Sequence, residues 1–340
     1  MTIAPRDTAD LGKLRGLQRI VSPQGMINAC ALDALVYLVN LLEEQHRPAT
    51  HADVVAVKHS LVATLTEHAS AVLLDAQYGL QSVAAGALPG DAGLMVTIED
   101  EDYDTVSPAD GRRTVFRENW SVRQIKLTGA DAAKLLWFHR SDRNPETAAH
   151  QRSILSRVVE ECASYSLPLV VEPIWYPLPD EDPTSDAWRA RRVPGIVESV
   201  LEAAALGADV LKAEFPGYLD QPGGEDAAAA ACEEISRHID VPWVTLSGGV
   251  PFEVFKQQVR ISCQAGASGY LAGRAVWQDT VYAKPGEELL ALRQAAQKVA
   301  ELNQIALAHG TPFRPALPLA EATERYHASW YESWHNAVLN

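Results

Sequence analysis

The chain has 340 residues, 47% of them hydrophobic and 21% charged, the proportions of an ordinary globular protein with apolar residues enough for one large core. A formal net charge of −15 with no local basic run argues against nucleic acid or an anionic membrane as partner, and any anionic ligand must find cations in its own site. Cys30, Cys162, Cys232 and Cys263 are widely separated, which excludes a zinc knot or disulfide framework, and no apolar run reaches membrane-spanning length.

Residues 1–24 are polar, with charges throughout 1–19, and read as a lead-in with one short helix around 10–19 rather than an export signal, so the expected location is cytoplasmic. Eight short apolar or β-branched segments follow: 27–33, 71–75, 94–99, 132–138, 169–172 (stopped by Pro173), 208–214, 242–246 and 269–273. Helical segments alternate with them, at 34–44, 51–68, 121–128, 145–165, 191–206, 225–238, 251–265 and 286–308. In 191–206, Val193, Ile196, Val197, Val200, Leu201 and Ala204 mark one face at helical period, as expected of a helix packed on a sheet. Residues 100–117 and 175–188 read as loops over one end of the fold. The aromatic tail 321–339 reads as a helix packed on the body or on a partner subunit.

Eight strands, each followed by a helix and uninterrupted by any linker, predict an α/β fold: one (β/α)8 barrel domain over 1–340 with extra helical segments at both ends. A doubly wound open sheet is the alternative, but no G-x-G-x-x-G follows the first strand.

The segment 208–214 carries a lysine, Lys212, in the middle of an apolar strand, where a charged amine is costly unless it is paired or used. Side chains alternate along a strand, so an inward Lys212 takes Val210 and Glu214 with it and sends Leu211 and Ala213 to the helices. The same parity turns Lys134 and Glu172 inward and leaves Asp33 and Glu99 at strand ends. In a barrel of this kind the chemistry sits at the carboxyl ends of the strands. Two neighbouring lysines are expected to depress each other's pKa, and a nearby carboxylate to carry protons, which is the equipment for Schiff-base chemistry on a carbonyl. The competing reading is a buried Lys–Glu network that only holds the barrel together. After the seventh and eighth strands, Ser247-Gly248-Gly249 and Gly273-Arg274 combine glycines whose N–H groups can approach an anion with a guanidinium, which favours a phosphate site. His139 is the only histidine near a strand end and no H-x-H or H-E-x-x-H occurs, so neither a metal nor any other cofactor is expected. His139, Trp175 and Tyr176 are expected to pack rather than react.

With Leu73-Leu74-Asp75, Tyr78-Gly79, Gly129-Ala130-Asp131-Ala132, Lys134, Val171-Glu172-Pro173, Asp209-Val210-Leu211-Lys212, Glu214, Leu246-Ser247-Gly248-Gly249-Val250, Gly273-Arg274-Ala275 and Trp277, the chain resembles the class I tagatose-bisphosphate aldolase family, which includes the sulfofructosephosphate aldolases. The resemblance runs from about 25 to 281. It implies a Schiff-base, metal-independent lyase with Lys212 as the imine-forming lysine, Glu172 as proton shuttle and Lys134 as a second site lysine. Ser247, Gly248, Gly249, Gly273 and Arg274 would hold a phosphate. The implied substrate is a phosphorylated ketose resembling tagatose 1,6-bisphosphate or sulfofructose 1-phosphate, with dihydroxyacetone phosphate as one product, and the implied assembly a homo-oligomer. Where the family continues its first strand with Asp-Gln-Arg, this chain has Asp33-Ala34-Leu35. The acid persists, so Asp33 is expected to bind substrate, while the aldehyde half of the substrate is expected to be shorter, deoxygenated, or held by other residues such as Arg140 or Lys126. That departure also sustains a second function, a catalytically silent barrel that senses a sugar phosphate.

Overall fold

The computed structural model describes residues 10–100 and 110–332. Eight parallel strands close into a barrel: β1 Ile27–Leu32, β2 Ala71–Leu74, β3 Gly93–Thr97, β4 Ala132–Phe138, β5 Leu169–Ile174, β6 Val210–Ala213, β7 Trp243–Leu246 and β8 Gly269–Ala272. Each strand pairs with its neighbours in sequence, and β8 returns to β1 through Ile27↔Gly269 and Cys30↔Ala272. Helices cover the outside, the longest being Pro145–Ser164, Asp186–Ala205 and Glu288–His309. No helix among the described residues is long and apolar enough to cross a membrane.

Strand alternation sorts the apolar residues into two populations. Ala29, Leu73, Met95, Ala132, Val170, Val210, Val244 and Leu271 fill the barrel's interior, while Leu211, Ala213, Val171 and Leu135 face outward into the layer shared with the helices. The amino-terminal end of the barrel is closed by Leu17 and Ile20, from the helix Leu11–Ile20, together with Phe313. Full burial of one such side chain contributes roughly 1.5–3 kcal/mol, so the lower barrel is a packed core, and the inward-facing ionisable side chains of the strands lie at the opposite end. The plug helix is seated closely: a Cβ on Gly16 would lie 2.2 Å from the carbonyl oxygen of Asp131. Lys13 fixes its orientation through a 2.7 Å pair with Asp209, whose carboxylate also accepts from the Leu169 N–H.

Several boundaries differ from the sequence expectation. Strand β5 runs through Pro173 to Ile174 because it pairs with β6 only at Val170 and Val171; beyond them it has one partner, β4, and an edge tolerates a residue that cannot donate. Glu99 leaves β3 and pairs with Phe116 in a short antiparallel ribbon formed by Glu99–Asp100 and Val115–Phe116, within what reads as loop. A helix over Arg274–Val281 follows β8, unpredicted because Gly273-Arg274 reads only as a turn. The described tail is helical over Leu319–Arg325 and again from 330 to 332, and residues 333–340 lie outside the described residues, as do 101–109 of the long loop.

Candidate active site

The inward parity that fills the lower barrel with apolar groups delivers ionisable ones two residues further along each strand. Val210 is followed by Lys212, Val170 by Glu172 and Ala132 by Lys134. The register Val170↔Val210, Val171↔Leu211, carried one step further, sets Glu172 beside Lys212. The result is a cavity of about 540 Å3 at the carboxyl ends of the strands, and its lining includes Asp33, Glu99, Lys134, Glu172, Lys212, Ser247, Gly248, Gly249, Gly273 and Arg274. Lys212, Glu172, Lys134, Asp33, Ser247, Gly248, Gly249, Gly273 and Arg274 therefore border one cavity.

At its floor, one oxygen joins two amines. Glu172 Oε2 lies 2.9 Å from Lys212 Nζ and 2.8 Å from Lys134 Nζ. Lys212 is 5% exposed, Lys134 3% and Glu172 9%, so the triad is shielded yet borders the cavity. Lys134 also reaches Glu99 at 2.5 Å and Asp33 at 3.2 Å. Burial works against its charge, but Glu172, Glu99 and Asp33 together outweigh burial and raise its pKa well above the ordinary lysine value. This corrects the expectation that two adjacent lysines depress one another: with three carboxylates around it, Lys134 is a fixed ammonium ion. Burial raises the pKa of Glu172, and Lys134 followed by Lys212 more than reverses the effect, so Glu172 titrates below the usual carboxylate range. For Glu99 burial prevails over Lys134 and the pKa is raised.

Asp33 is lowered from 3.8 to about 2, burial being overcome by Lys134, Lys212 and Lys58. A carboxylate depressed in the folded state adds stability that is complete above its unfolded pKa near 4 and is lost as pH falls towards about 2. Denaturant midpoints should accordingly drop through that window, with about 2 kcal/mol coming from this group. Asp33→Asn should flatten the acid limb, and superimposable limbs would contradict the assignment.

Opposite polarity develops after β7 and β8. Gly248 and Gly249 have φ of 54° and 80°, a region in which other side chains are strained, and a Cβ on Gly249 would come within 2.9 Å of the Arg274 guanidinium carbon. The Gly273 N–H donates to Ser247 Oγ at 3.2 Å, tying the two loops together. Arg274 stacks over Tyr37, 4.7 Å from the ring centroid, and has no carboxylate partner among the described residues. A guanidinium held over glycine backbone at the start of a helix suits an oxyanion.

Other residues are drawn elsewhere. Glu214 shares Lys212's side of β6, as expected, but is taken by Arg192 at 2.7 Å and the Trp175 N–H at 2.8 Å, away from the amines. Neither candidate for the substrate's far end borders the cavity. Arg140 is buried between Glu181 (2.7 Å) and Asp142 (2.8 Å) and stacks on Trp175, while Lys126 donates to the Ser166 carbonyl. Trp175 and Tyr176 pack, against Trp188 and Phe138 respectively. His139 stacks on Trp137 at 4.5 Å, with Nε2 2.9 Å from Glu202. With Glu198 these two form the one group of His and acidic residues, among those described, close enough to share a metal ion. It lies outside the cavity, with Arg152 paired to Glu202 and Ser141 donating to Glu198.

Sequence reasoning missed two parts of the site. Lys58, from the helix His51–Leu65, is buried against Asp75 and donates to the Leu32 carbonyl at 2.7 Å, bracing the ends of β1 and β2 beneath Asp33. Val36, Tyr37 and Asn40, on the first turns of the helix after β1, form part of the cavity wall. Lysine at mid-helix signals a solvated face, and Val36–Glu44 looks like any amphipathic helix, so neither carried a usable signal.

The profile of the DeoC/LacD family of aldolases matches residues 41–279. The chain is 32% identical over 287 residues to tagatose 1,6-diphosphate aldolase 2 of Enterococcus faecalis, covering 81% of this chain and 86% of that one. To tagatose 1,6-diphosphate aldolase 2 of Streptococcus mutans it is 30% identical over 322 residues, or 88% and 96% of the two chains. Among solved structures, fructose-bisphosphate aldolase from Plasmodium falciparum superposes with a TM-score of 0.69 at 14% identity, over 91% of this chain and 97% of that one. An archaeal fructose-1,6-bisphosphate aldolase, with its catalytic lysine bound to the carbinolamine intermediate, gives 0.57 at 18% identity, over 87% and 99%. At those identities the superpositions speak for the barrel fold alone.

Proposed function

The chain belongs to the DeoC/LacD family of aldolases, and on that footing we propose that it is a metal-independent class I aldolase that cleaves a phosphorylated ketose to dihydroxyacetone phosphate and an aldehyde. The observation that carries this reading is the single oxygen of Glu172 within 2.9 Å of two buried amines, at the floor of a cavity whose rim holds an uncommitted guanidinium.

The chemistry follows from the positions. The phosphate of the substrate is received by Arg274 with the N–H groups of the Gly248-Gly249 and Gly273 turns, which brings the ketone down to Lys212. Lys212 passes a proton to Glu172 and attacks the carbonyl carbon; a C–N bond forms, the carbonyl electron pair moves to oxygen, and a second proton passes from the nitrogen to that oxygen to give the neutral carbinolamine. Glu172 returns its proton to the carbinolamine hydroxyl, which departs as water and leaves an iminium ion. The hydroxyl on the β carbon then loses its proton to Glu172, the bond between the α and β carbons breaks, and its electrons flow into the iminium to give an enamine and a free aldehyde. Protonation of the α carbon and addition of water release dihydroxyacetone phosphate and the amine. Lys134, permanently charged, orients Glu172 and Asp33 throughout, leaving Asp33 to accept hydrogen bonds from substrate hydroxyls.

The reading is tested by the enamine. In D2O containing EDTA, the protein should incorporate deuterium into dihydroxyacetone phosphate at the carbon beside the ketone, with no aldehyde present, as followed by proton NMR. Binding without exchange would favour a silent sensor, and exchange lost on adding EDTA would favour a metal-dependent enzyme. Arg274→Ala should raise KM for the phosphorylated ketose about 10–100-fold with a smaller effect on kcat, because a charge-assisted contact present before and during reaction is lost uniformly. Inorganic phosphate should weaken in parallel as a competitive inhibitor; an unchanged KM would remove Arg274 from the site.

A further inference from the structure

The cavity has a charge balance that limits what lies beyond the scissile bond. The cations in its described lining are Lys134, Lys212 and Arg274. Lys134 is enclosed by Asp33, Glu99 and Glu172, and Lys212 is paired with Glu172. Only Arg274 is uncommitted, and it stands over the glycine turns after β7 and β8. In the closed strand order β3 and β4 lie across the barrel from β7 and β8. The wall there is Thr97, Glu99, Asp100 and Leu136, two carboxylates, a hydroxyl and an aliphatic side chain. Arg117, next to this wall, is engaged with Asp100 at 3.0 Å and Gln77 at 2.8 Å. The β1 side of the mouth presents Ala34, Leu35 and Val36, the last 57% exposed, in contact with the cavity.

A substrate anchored by one phosphate at Arg274 therefore extends towards a wall that, among the described residues, has no free cation, two carboxylates and aliphatic surface. A second phosphate, or a sulfonate or carboxylate, would be desolvated there without a partner and beside like charge. We propose that this enzyme acts on ketose monophosphates, and that the aldehyde it releases or accepts is uncharged. The inference rests on the aldolase reading above and deepens it. It separates this chain from the relatives it resembles, whose names give a diphosphate as substrate.

The test is a matched pair in the condensation direction, with the full chain and dihydroxyacetone phosphate: glyceraldehyde against glyceraldehyde 3-phosphate, which differ only in the second phosphate. The kcat/KM for glyceraldehyde should exceed that for its phosphate by about tenfold or more, a margin that narrows as salt is raised. Val36→Arg, which places a cation on an exposed position at the mouth, should raise the ratio of kcat/KM for glyceraldehyde 3-phosphate to that for glyceraldehyde by about tenfold. Equal use of the pair by the unaltered protein, preference for the phosphorylated aldehyde, or indifference to Val36→Arg would overturn the inference. Deuterium exchange into dihydroxyacetone phosphate keeps the outcomes apart: exchange with the wrong aldehyde preference defeats this proposal alone, and absence of exchange defeats the aldolase reading with it.

Discussion

Lys212→Ala should lower kcat by at least about four orders of magnitude, since the other amine in the cavity, Lys134, is held as an ammonium ion among three carboxylates and the residual rate is then that of binding and electrostatics alone. The fold should survive. Lys212 has one ionic partner, Glu172, which keeps its 2.8 Å contact with Lys134 when Lys212 is removed, and the space vacated opens to the cavity rather than to a dry core. Thermal unfolding should therefore move by no more than about 1–2 kcal/mol in stability. Lys212→Arg separates chemistry from charge. The guanidinium preserves the ion pair but is not a nucleophile at neutral pH, so it should be as inactive as alanine. Substantial activity in the arginine variant would mean that Lys212 serves only as a positive charge, the buried-network reading of the same geometry.

Lys134→Met should have the larger effect on the fold itself. Three carboxylates from three different strand ends converge on this ammonium ion, and removing it leaves Asp33, Glu99 and Glu172 buried with only Lys212 and the more distant Lys58 to offset their charge. Breaking a buried pair from one side costs about 3–5 kcal/mol, and turnover should fall as well, because Glu172 is no longer held ionised beside Lys212. The signature is in the pH dependence. Without Lys134 the carboxylate pKa values rise in the folded state, and a group raised on folding contributes stability at low pH that is lost as pH rises through its folded value. The stability gap between Lys134→Met and the unaltered protein should thus be widest near neutrality and shrink below about pH 5. A gap below about 1 kcal/mol, or one independent of pH, would show that Lys134 is not the hub of this network.

The parts of the site that were legible in the sequence are those that violate a local rule. Lys212 and Lys134 interrupt apolar strands, Glu172 ends one, and Gly248-Gly249 and Gly273, the last followed by an arginine, end two more where backbone can approach a ligand closely. Strand parity then fixed their direction, because a one-residue error would turn the valines and alanines of the lower barrel outward. The barrel was legible because strands of a parallel sheet are buried on both faces and so read as short continuous apolar runs between helical segments.

What the sequence concealed depends on side chains that meet from distant positions. The charge state of Lys134 is set by acids 101, 35 and 38 residues away, and no linear spacing records that they converge. Lys58 looks like the solvated face of a helix and is buried only because Asp75 ends β2 beneath it. Arg140 follows a strand, as Arg274 does, yet Glu181, 41 residues on, captures it and removes it from the cavity. Position after a strand is thus a necessary condition for a site residue here and not a sufficient one; the absence of a competing partner decides.

The most direct measurement of the central claim is reductive trapping. The protein is incubated with dihydroxyacetone phosphate and sodium borohydride in EDTA, digested, and the peptides mapped by mass. The account predicts one reduced adduct, located at Lys212, and its disappearance in Lys212→Arg with Lys134 unmodified in both. An adduct on Lys134, or none on any lysine while dihydroxyacetone phosphate is bound, would contradict it.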